Sequence, residues 1–481
     1  MKMYKMEIPK SALLISASLL FFSCHAVAQF NLSAPAGLKV KPGSASHFNL
    51  SWEDHSDGEE GFMIERRKEG ESFWVKVGFV PSNVMTFQVG GCTENAKYDF
   101  RVRAYKGAAY SAYSDIEKGR TVQCFDGPQA RVIENSSPRE GEGTAIKMNN
   151  GNYQLYFDSF TGVGDRSISR VARKVSADKG KTWSEKEILF QEEGISLLHP
   201  SVIRFSEEKI GLAYSKMIKG RAWKVFRYSM DEGETWSEEI NVSDGIYKYM
   251  TGAHDRFVAL SNGLVVNLVH SKIPAKDVKG KDDKPKGKLL GTDLYATRDQ
   301  GQTWFRLNNE TVVNYENPYG LGEYGFYEAS LAEYETGKLV MFGRSATGFL
   351  MSSYSDDFGK TWSDPEKMGI QQPLAPARVQ MIPGTNKILL VHNPMKDVKN
   401  TRGASDRYVL AARLSEDGGQ TWRHYKQLEY DNVHHYSYPA MLIDGPGIHL
   451  FYWKTELKNN RWAKVELAYR MLPLEYFTKQ Q

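Results

Sequence analysis

Two stretches of this chain carry groups that could hold or attack a charged molecule. In "YEASLAEYETGKLVMFGR" (Tyr327–Arg344), Glu328 and Arg344 stand 16 residues apart around a turn. A strand–turn–strand of that length returns both groups to one end of a hairpin. In "HHYSYPAML" (His434–Leu442), Tyr436 and Tyr438 head an apolar run. A guanidinium offers a carboxylate two parallel hydrogen bonds and keeps its charge. A phenol, with a pKa of about 10, attacks well only beside a base. His434 and His435 invite a metal reading, but neighbours on a strand point to opposite faces. No metal-ligand spacing and no phosphate loop appears, so no cofactor is expected.

The most conspicuous acidic residues lie in an octapeptide that recurs five times: "SADKGKTW" (Ser176–Trp183), "SMDEGETW" (Ser229–Trp236), "TRDQGQTW" (Thr297–Trp304), "SDDFGKTW" (Ser355–Trp362) and "SEDGGQTW" (Ser415–Trp422). The tryptophans are 53, 68, 58 and 60 residues apart, a period that signals repeated supersecondary units. The longest gap holds "KGKDDKPKGK" (Lys279–Lys288), whose mixed charge, Gly and Pro read as a solvated loop. Each copy follows an alternating strand such as "WKVFRYS" (Trp223–Ser229), so each occupies a hairpin turn. The Asp carboxylate accepts N–H bonds inside its own turn, Gly supplies a positive φ, and Trp buries a large ring. These are fasteners, expected to serve one hairpin each. Turns spread around a repeat array cannot bring five carboxylates to one substrate or one metal.

Ahead of the repeats, residues 33–123 read as a small all-β domain. In "YDFRVRAY" (Tyr98–Tyr105), Tyr98, Phe100, Val102 and Ala104 alternate with polar residues, the period of a strand with one buried face. With Trp52 on an early strand, the segment resembles a fibronectin type III domain, which implies a spacer or binding module. "CFDGPQA" (Cys124–Ala130) links it to the repeats. Cys92 and Cys124 stand at either end of this region, and either a disulfide or two buried thiols suits them.

The octapeptide is identified as the Asp-box of the sialidase-like, or BNR-repeat, superfamily, and residues 131–474 resemble that superfamily throughout. The resemblance implies an all-β chain: a six-bladed sialidase-like β-propeller preceded by a fibronectin type III-like β-sandwich. It also implies a site on the propeller axis with three arginines, a tyrosine, a glutamate and an aspartate. Matched residue by residue, Arg139, Arg344 and Arg407 would clamp the substrate carboxylate, with Arg402 the alternative to Arg407. Tyr436 would be the nucleophile, with Tyr438 as competitor, and Glu328 its base. Asp165 would protonate the leaving group, with Asp158 as rival. Arg413, beside the last box, is expected to be structural, and Asp255 and Arg256 in "GAHDRFVAL" (Gly252–Leu260) are weaker pocket candidates.

A tyrosine nucleophile suits a negatively charged sugar, because it avoids carboxylate–carboxylate repulsion. The implied activity is retaining exo-hydrolysis of terminal sialic acid, or a related acidic sugar, from glycans. The chain departs from the family in the first repeat. Sialidases open with Arg-Ile-Pro, whereas here "SPREGEGTAIKMNNGNYQLYF" (Ser137–Phe157) has Arg139 without Ile-Pro and adds Glu142 as a candidate polar contact. That departure keeps open a glycosidase acting on another sugar, or a non-catalytic glycan-binding propeller.

Composition bounds the partners. The 481 residues carry 62 Lys and Arg against 58 Asp and Glu, a net charge of +4. So diffuse a balance lacks the concentrated basic face of a nucleic-acid binder. No internal run is long and apolar enough to span a membrane. At the N-terminus, Lys2, Lys5 and Lys10 precede "ALLISASLLFF" (Ala12–Phe22), the pattern of an export signal over residues 1–28. "AVA" (Ala26–Ala28) suits cleavage to a secreted or periplasmic protein. "FFSC" (Phe21–Cys24) resembles a lipoprotein box that would anchor Cys24 at the bacterial surface.

Overall fold

The structure, a computed structural model, describes residues 32–42, 47–93, 96–121, 130–274, 287–394, 407–430, 434–458 and 461–478. The export signal, Cys24, Cys124, Arg402 and most of the lysine-rich loop lie outside them.

The N-terminal domain is two packed antiparallel sheets. One joins Ala36–Pro42, Phe48–Glu53 and Thr86–Val89; the other is centred on Gly61–Lys68 and Lys97–Lys106. The alternation in the last of these works as read: Tyr98, Phe100, Val102 and Ala104 are all buried, among Trp52, Phe48 and Phe62. Cys92 lies in the same core, where its Sγ accepts a hydrogen bond from Arg66 at 3.0 Å.

The remaining chain runs through successive antiparallel meanders, the third of them extended by Glu323–Gly325, which pairs in parallel with Lys288–Thr297. The second to fifth start at Ser196, Met250, Tyr327 and Arg378. The first, from Arg139–Lys147 to Glu187–Phe190, is joined to the last, His434–Asp444, Gly447–Lys458 and Arg461–Pro473, in one eight-stranded sheet. Arg131–Val132, at the start of this region, pairs with Arg461–Pro473 near its end. The two ends of the repeat array are therefore stitched together. One short helix, Leu474–Thr478, follows the last strand. Its Tyr476 and Phe477 pack between the fifth and last sheets, against Leu410, Leu428, Leu450 and Leu472.

The octapeptides are turns, as read, but each does more than fasten its own hairpin. In the first, Asp178 accepts the backbone N–H of Thr182 at 2.8 Å and its hydroxyl at 2.6 Å, while Gly180 N–H donates to Ser176 Oγ at 2.7 Å. The same bonds recur in the other copies. The Thr donors hold Asp178 and Asp231 at a pKa of about 2. The tryptophans, however, reach backwards. Trp236 packs on Tyr156 of the first sheet, Trp304 on Phe226 of the second, Trp422 on Phe342 of the fourth, and Trp183 on Phe451 and Tyr469 of the last. The box glycine sits in the same interface, with positive φ at every copy. A Cβ on Gly301 would enter the ring of Phe226, and one on Gly419 would lie 2.5 Å from Phe342. Gly301→Ala is therefore expected to destabilise the protein by about 2–4 kcal/mol, combining overpacking with left-handed strain. A lowered urea midpoint would register the loss.

The N-terminal domain rests on the fifth meander. Arg413 donates to Gln88 and, at 3.2 Å, to His392, while the His47 ring lies 3.5 Å from that of Tyr425. Arg413 thus has the structural place expected of it: it docks the two domains.

Candidate functional site

Five of the six opening strands, all but Arg378–Met381, share a local distortion that builds the site. Register shifts fall between Gly141 and Thr144, Leu198 and Ser201, Tyr327 and Ser330, and Ser437 and Ala440. In the third sheet the strand breaks outright between Thr251 and Phe257. At the apex of each stands a non-glycine residue with positive φ: Glu142 (49°), His199 (59°), Asp255 (55°), Glu328 (48°) and Tyr438 (55°). A β-bulge re-aims one side chain, and left-handed strain of about 1–3 kcal/mol per residue persists where function uses it. Four of the five apices, Glu142, His199, Glu328 and Tyr438, line one cavity of about 1190 Å³. Small or imino residues follow each of these four: Gly143-Thr144, Pro200-Ser201, Ala329-Ser330 and Pro439-Ala440. The triplets "EGT", "HPS", "EAS" and "YPA" are the sequence signal for the site, and reading for residue type alone misses it.

That bulge decides between the two tyrosines. Tyr436, the expected nucleophile, is 4 % exposed and packs with Met441, Leu450 and Tyr452 between sheets, outside the cavity. On a regular strand Tyr438 would share its face. The left-handed turn at Tyr438 instead swings the second ring into the cavity.

Arg139 of the first sheet, Arg344 of the fourth and Arg407, two residues ahead of the Val409–Ser415 strand of the fifth, also line this cavity. Arg344 donates to Glu328 at 2.6 Å and to the Tyr438 hydroxyl at 3.4 Å; that hydroxyl donates to Glu328 at 3.3 Å. Burial disfavours charge on Glu328, yet Arg344, with His270 nearby, holds its pKa at about 2. Burial and Glu328 push the Tyr438 phenol up. Stability follows from the Glu328 shift. The contribution of ionised Glu328 is complete above its unfolded value near 4.5 and fades as pH falls towards about 2. Glu328→Gln should therefore flatten the acid side of the stability curve, seen as a smaller difference in urea midpoint between about pH 5 and pH 3 than in the wild type.

Arg407 donates through Nη2 to the Leu374 carbonyl at 2.6 Å, while its Nε and Nη1 are buried without a partner among the described residues. The Nε of Arg344 is in the same state. Arg407 also lies over the rings of Tyr438 and Trp453, at 5.5 and 5.6 Å. Orphaned buried donors are costly, and a bound acceptor relieves them. Arg139 differs: its two terminal nitrogens are already taken, by Asp165 at 2.6 Å and Glu142 at 2.7 Å. Burial opposes its charge, and those two carboxylates more than offset the effect. Burial in turn pushes Glu142 up, against the pull of Arg139.

Asp165 lies on the turn after Tyr153–Phe160, 75 % exposed at the cavity lip. Its rival Asp158 is fully buried and outside the cavity, where both its oxygens accept from the backbone N–H of His199, at 2.9 and 3.1 Å. Asp255 and Arg256 do not line the cavity either; they are buried beneath it. None of the box aspartates lines it. Sequence reasoning missed His199 and His270, two imidazoles on the cavity wall that burial keeps neutral. Among the described residues, no three His, Cys, Asp or Glu side chains gather as a metal site would require.

The chain belongs to the BNR repeat-like domain family, whose model matches residues 170–450; a fibronectin type III domain model matches residues 33–119. A sialidase of Bacteroides fragilis (strain YCH46) is 23 % identical over 234 residues, which are 47 % of this chain and 39 % of that relative. This chain thus spans well under half the relative's length. Among solved structures, the NanB sialidase of Streptococcus pneumoniae matches with a TM-score of 0.55 at 12 % identity, over 93 % of this chain and 94 % of that one. The intramolecular trans-sialidase of leech, complexed with 2,7-anhydro-Neu5Ac, matches with a TM-score of 0.56 at 14 % identity, over 93 % of each chain. At those identities the likeness is one of fold. No helix among the described residues is long and apolar enough to cross a membrane.

Proposed function

We propose that this protein is an exported exo-glycosidase of the sialidase type, acting by a retaining mechanism on glycans that end in sialic acid or a related acidic sugar. Its repeat domain would be a six-bladed propeller with the cavity on its axis. One observation carries the reading: three guanidiniums and a phenol, far apart in sequence, meet in one cavity, beside a buried carboxylate.

In this reading the roles assigned to Glu328, Asp165, Arg344 and Arg407 stand, and that of Tyr436 passes to Tyr438. The unpartnered nitrogens of Arg407 and Arg344 take the substrate carboxylate. Arg139 supports from the side and holds Asp165. The arriving carboxylate shares Arg344 with Glu328, which loosens the grip that depresses the Glu328 pKa and makes it a better base. Anion binding is thereby coupled to activation of the nucleophile. Tyr438 attacks the anomeric carbon as its proton passes to Glu328. Asp165 protonates the departing oxygen, and water or a hydroxyl of the sugar itself then releases the product. Glu142, three residues after Arg139, adds a carboxylate to the cavity wall and occupies one nitrogen of that arginine.

The test is to incubate the protein with aryl sialosides and with neutral aryl glycosides, following products by NMR. Release of the aryl group from the sialoside with retained configuration, or as an anhydro sugar, is the expected result. Turnover of neutral glycosides alone would defeat the proposal.

A further inference from the structure

Of the five bulge apices, four face the cavity and one does not. Asp255 has the same left-handed backbone as Glu142, His199, Glu328 and Tyr438, yet it does not line the cavity. It accepts from Thr144 of the first sheet at 3.0 Å, from Arg378 of the fifth at 2.6 Å and from the backbone N–H of Met441 in the last at 3.1 Å. Its own N–H donates to the Pro200 carbonyl of the second sheet at 3.0 Å. Arg256, 1 % exposed, donates to the Ala377 carbonyl at 3.0 Å and, more distantly, to the carbonyl of Glu328 at 3.5 Å. His254 Nε2 donates to the carbonyl of Tyr438 at 3.1 Å. Three consecutive residues of one sheet thus touch all the other sheets, within three residues of each cavity-facing apex.

We infer that His254, Asp255 and Arg256 are positioning residues for the reaction, with His254 fixing the peptide of Tyr438 and so the distance from its phenol to Glu328. The inference rests on the proposed function for its kinetic arm only. A left-handed residue is held by its surroundings rather than by its own preference, so its carbonyl bond sets where the ring goes. Burial keeps His254 neutral, with a pKa of about 3, so the bond from Nε2 persists across the working range of pH.

The experiment is His254→Ala, with His254→Gln to restore an N–H donor, read by crystallography and kinetics. In the alanine variant the Tyr438 hydroxyl should move beyond the roughly 3.5 Å reach of Glu328. The kcat for an aryl sialoside should fall about 10- to 100-fold, the scale of a misplaced reacting group. Affinity for an unsaturated sialic acid analogue held by the arginines should change by less than about threefold, and glutamine should recover part of kcat. Arg256→Lys keeps the buried charge without the fork and gives the same reading should the alanine variant not fold. An unmoved Tyr438, or a lower melting temperature with kcat unchanged, would overturn the inference. An inactive wild type would defeat the proposed reaction, while the crystallographic arm would still decide the positioning.

Discussion

Tyr438→Phe is expected to lower kcat on an aryl sialoside by roughly 10³-fold or more, while Tyr436→Phe stays within about threefold of the wild type. The two residues lie two apart on one strand and differ only in what the bulge does to them. Tyr438 puts its hydroxyl 3.3 Å from the carboxylate of Glu328 and 3.4 Å from Arg344, in the cavity. Tyr436 gives its ring to the packing between the fifth and last sheets. Phenylalanine preserves the shape of both, so the comparison isolates the oxygen. Stopped-assay rates for the purified variants, beside their melting curves, decide it. Equal loss in the two, or loss in Tyr436→Phe alone, would return the nucleophile to the core and break the proposed mechanism.

Arg407→Ala should raise KM about 100-fold while leaving the melting temperature level or higher. Hydrogen bonds to a charged partner contribute about 1.5–3 kcal/mol each. Arg407 has two buried nitrogens with nothing to donate to among the described residues. Burial already draws its pKa down, so the folded protein holds that charge at a cost. Removing such a group relieves the folded state and disables it, a familiar exchange between stability and function. Lysine should not rescue, because a single ammonium cannot reproduce the fork. Steady-state kinetics and differential scanning calorimetry on the same preparation are the measurements. A destabilised Arg407→Ala with normal KM would make this arginine a structural prop.

Glu328 and Arg344 were legible because their spacing is a property of one hairpin, and a hairpin is local. The octapeptides were legible as turns for the same reason: Asp, Gly and Thr satisfy one another within eight residues. Their other half was not. That Trp304 rests on Phe226 depends on which sheet comes next to it in space. Tyr438 was present only as the rival of Tyr436, because a strand read as regular puts both on one face. A left-handed residue breaks that rule, and nothing in a tyrosine announces it. Asp255 was read as a pocket residue, and the structure turns it inward. Its apex matches the others in backbone, and only partners more than a hundred residues away set its direction.

The pairing of the two ends of the repeat array also has a timetable. Arg131–Val132 and Arg139 leave the ribosome early; Tyr438 and the helix Leu474–Thr478, lodged against the fifth sheet, leave it much later. From residue 139 to residue 438 is 299 positions (438 − 139), about 15–60 s of synthesis at roughly 5–20 residues per second. For that interval the arginine of the first sheet waits for its phenol, and the seam filled by Tyr476 and Phe477 stays open. A nascent chain can complete its other sheets one at a time, but the cavity gains its last wall only once Tyr438 and the strands that carry it are made.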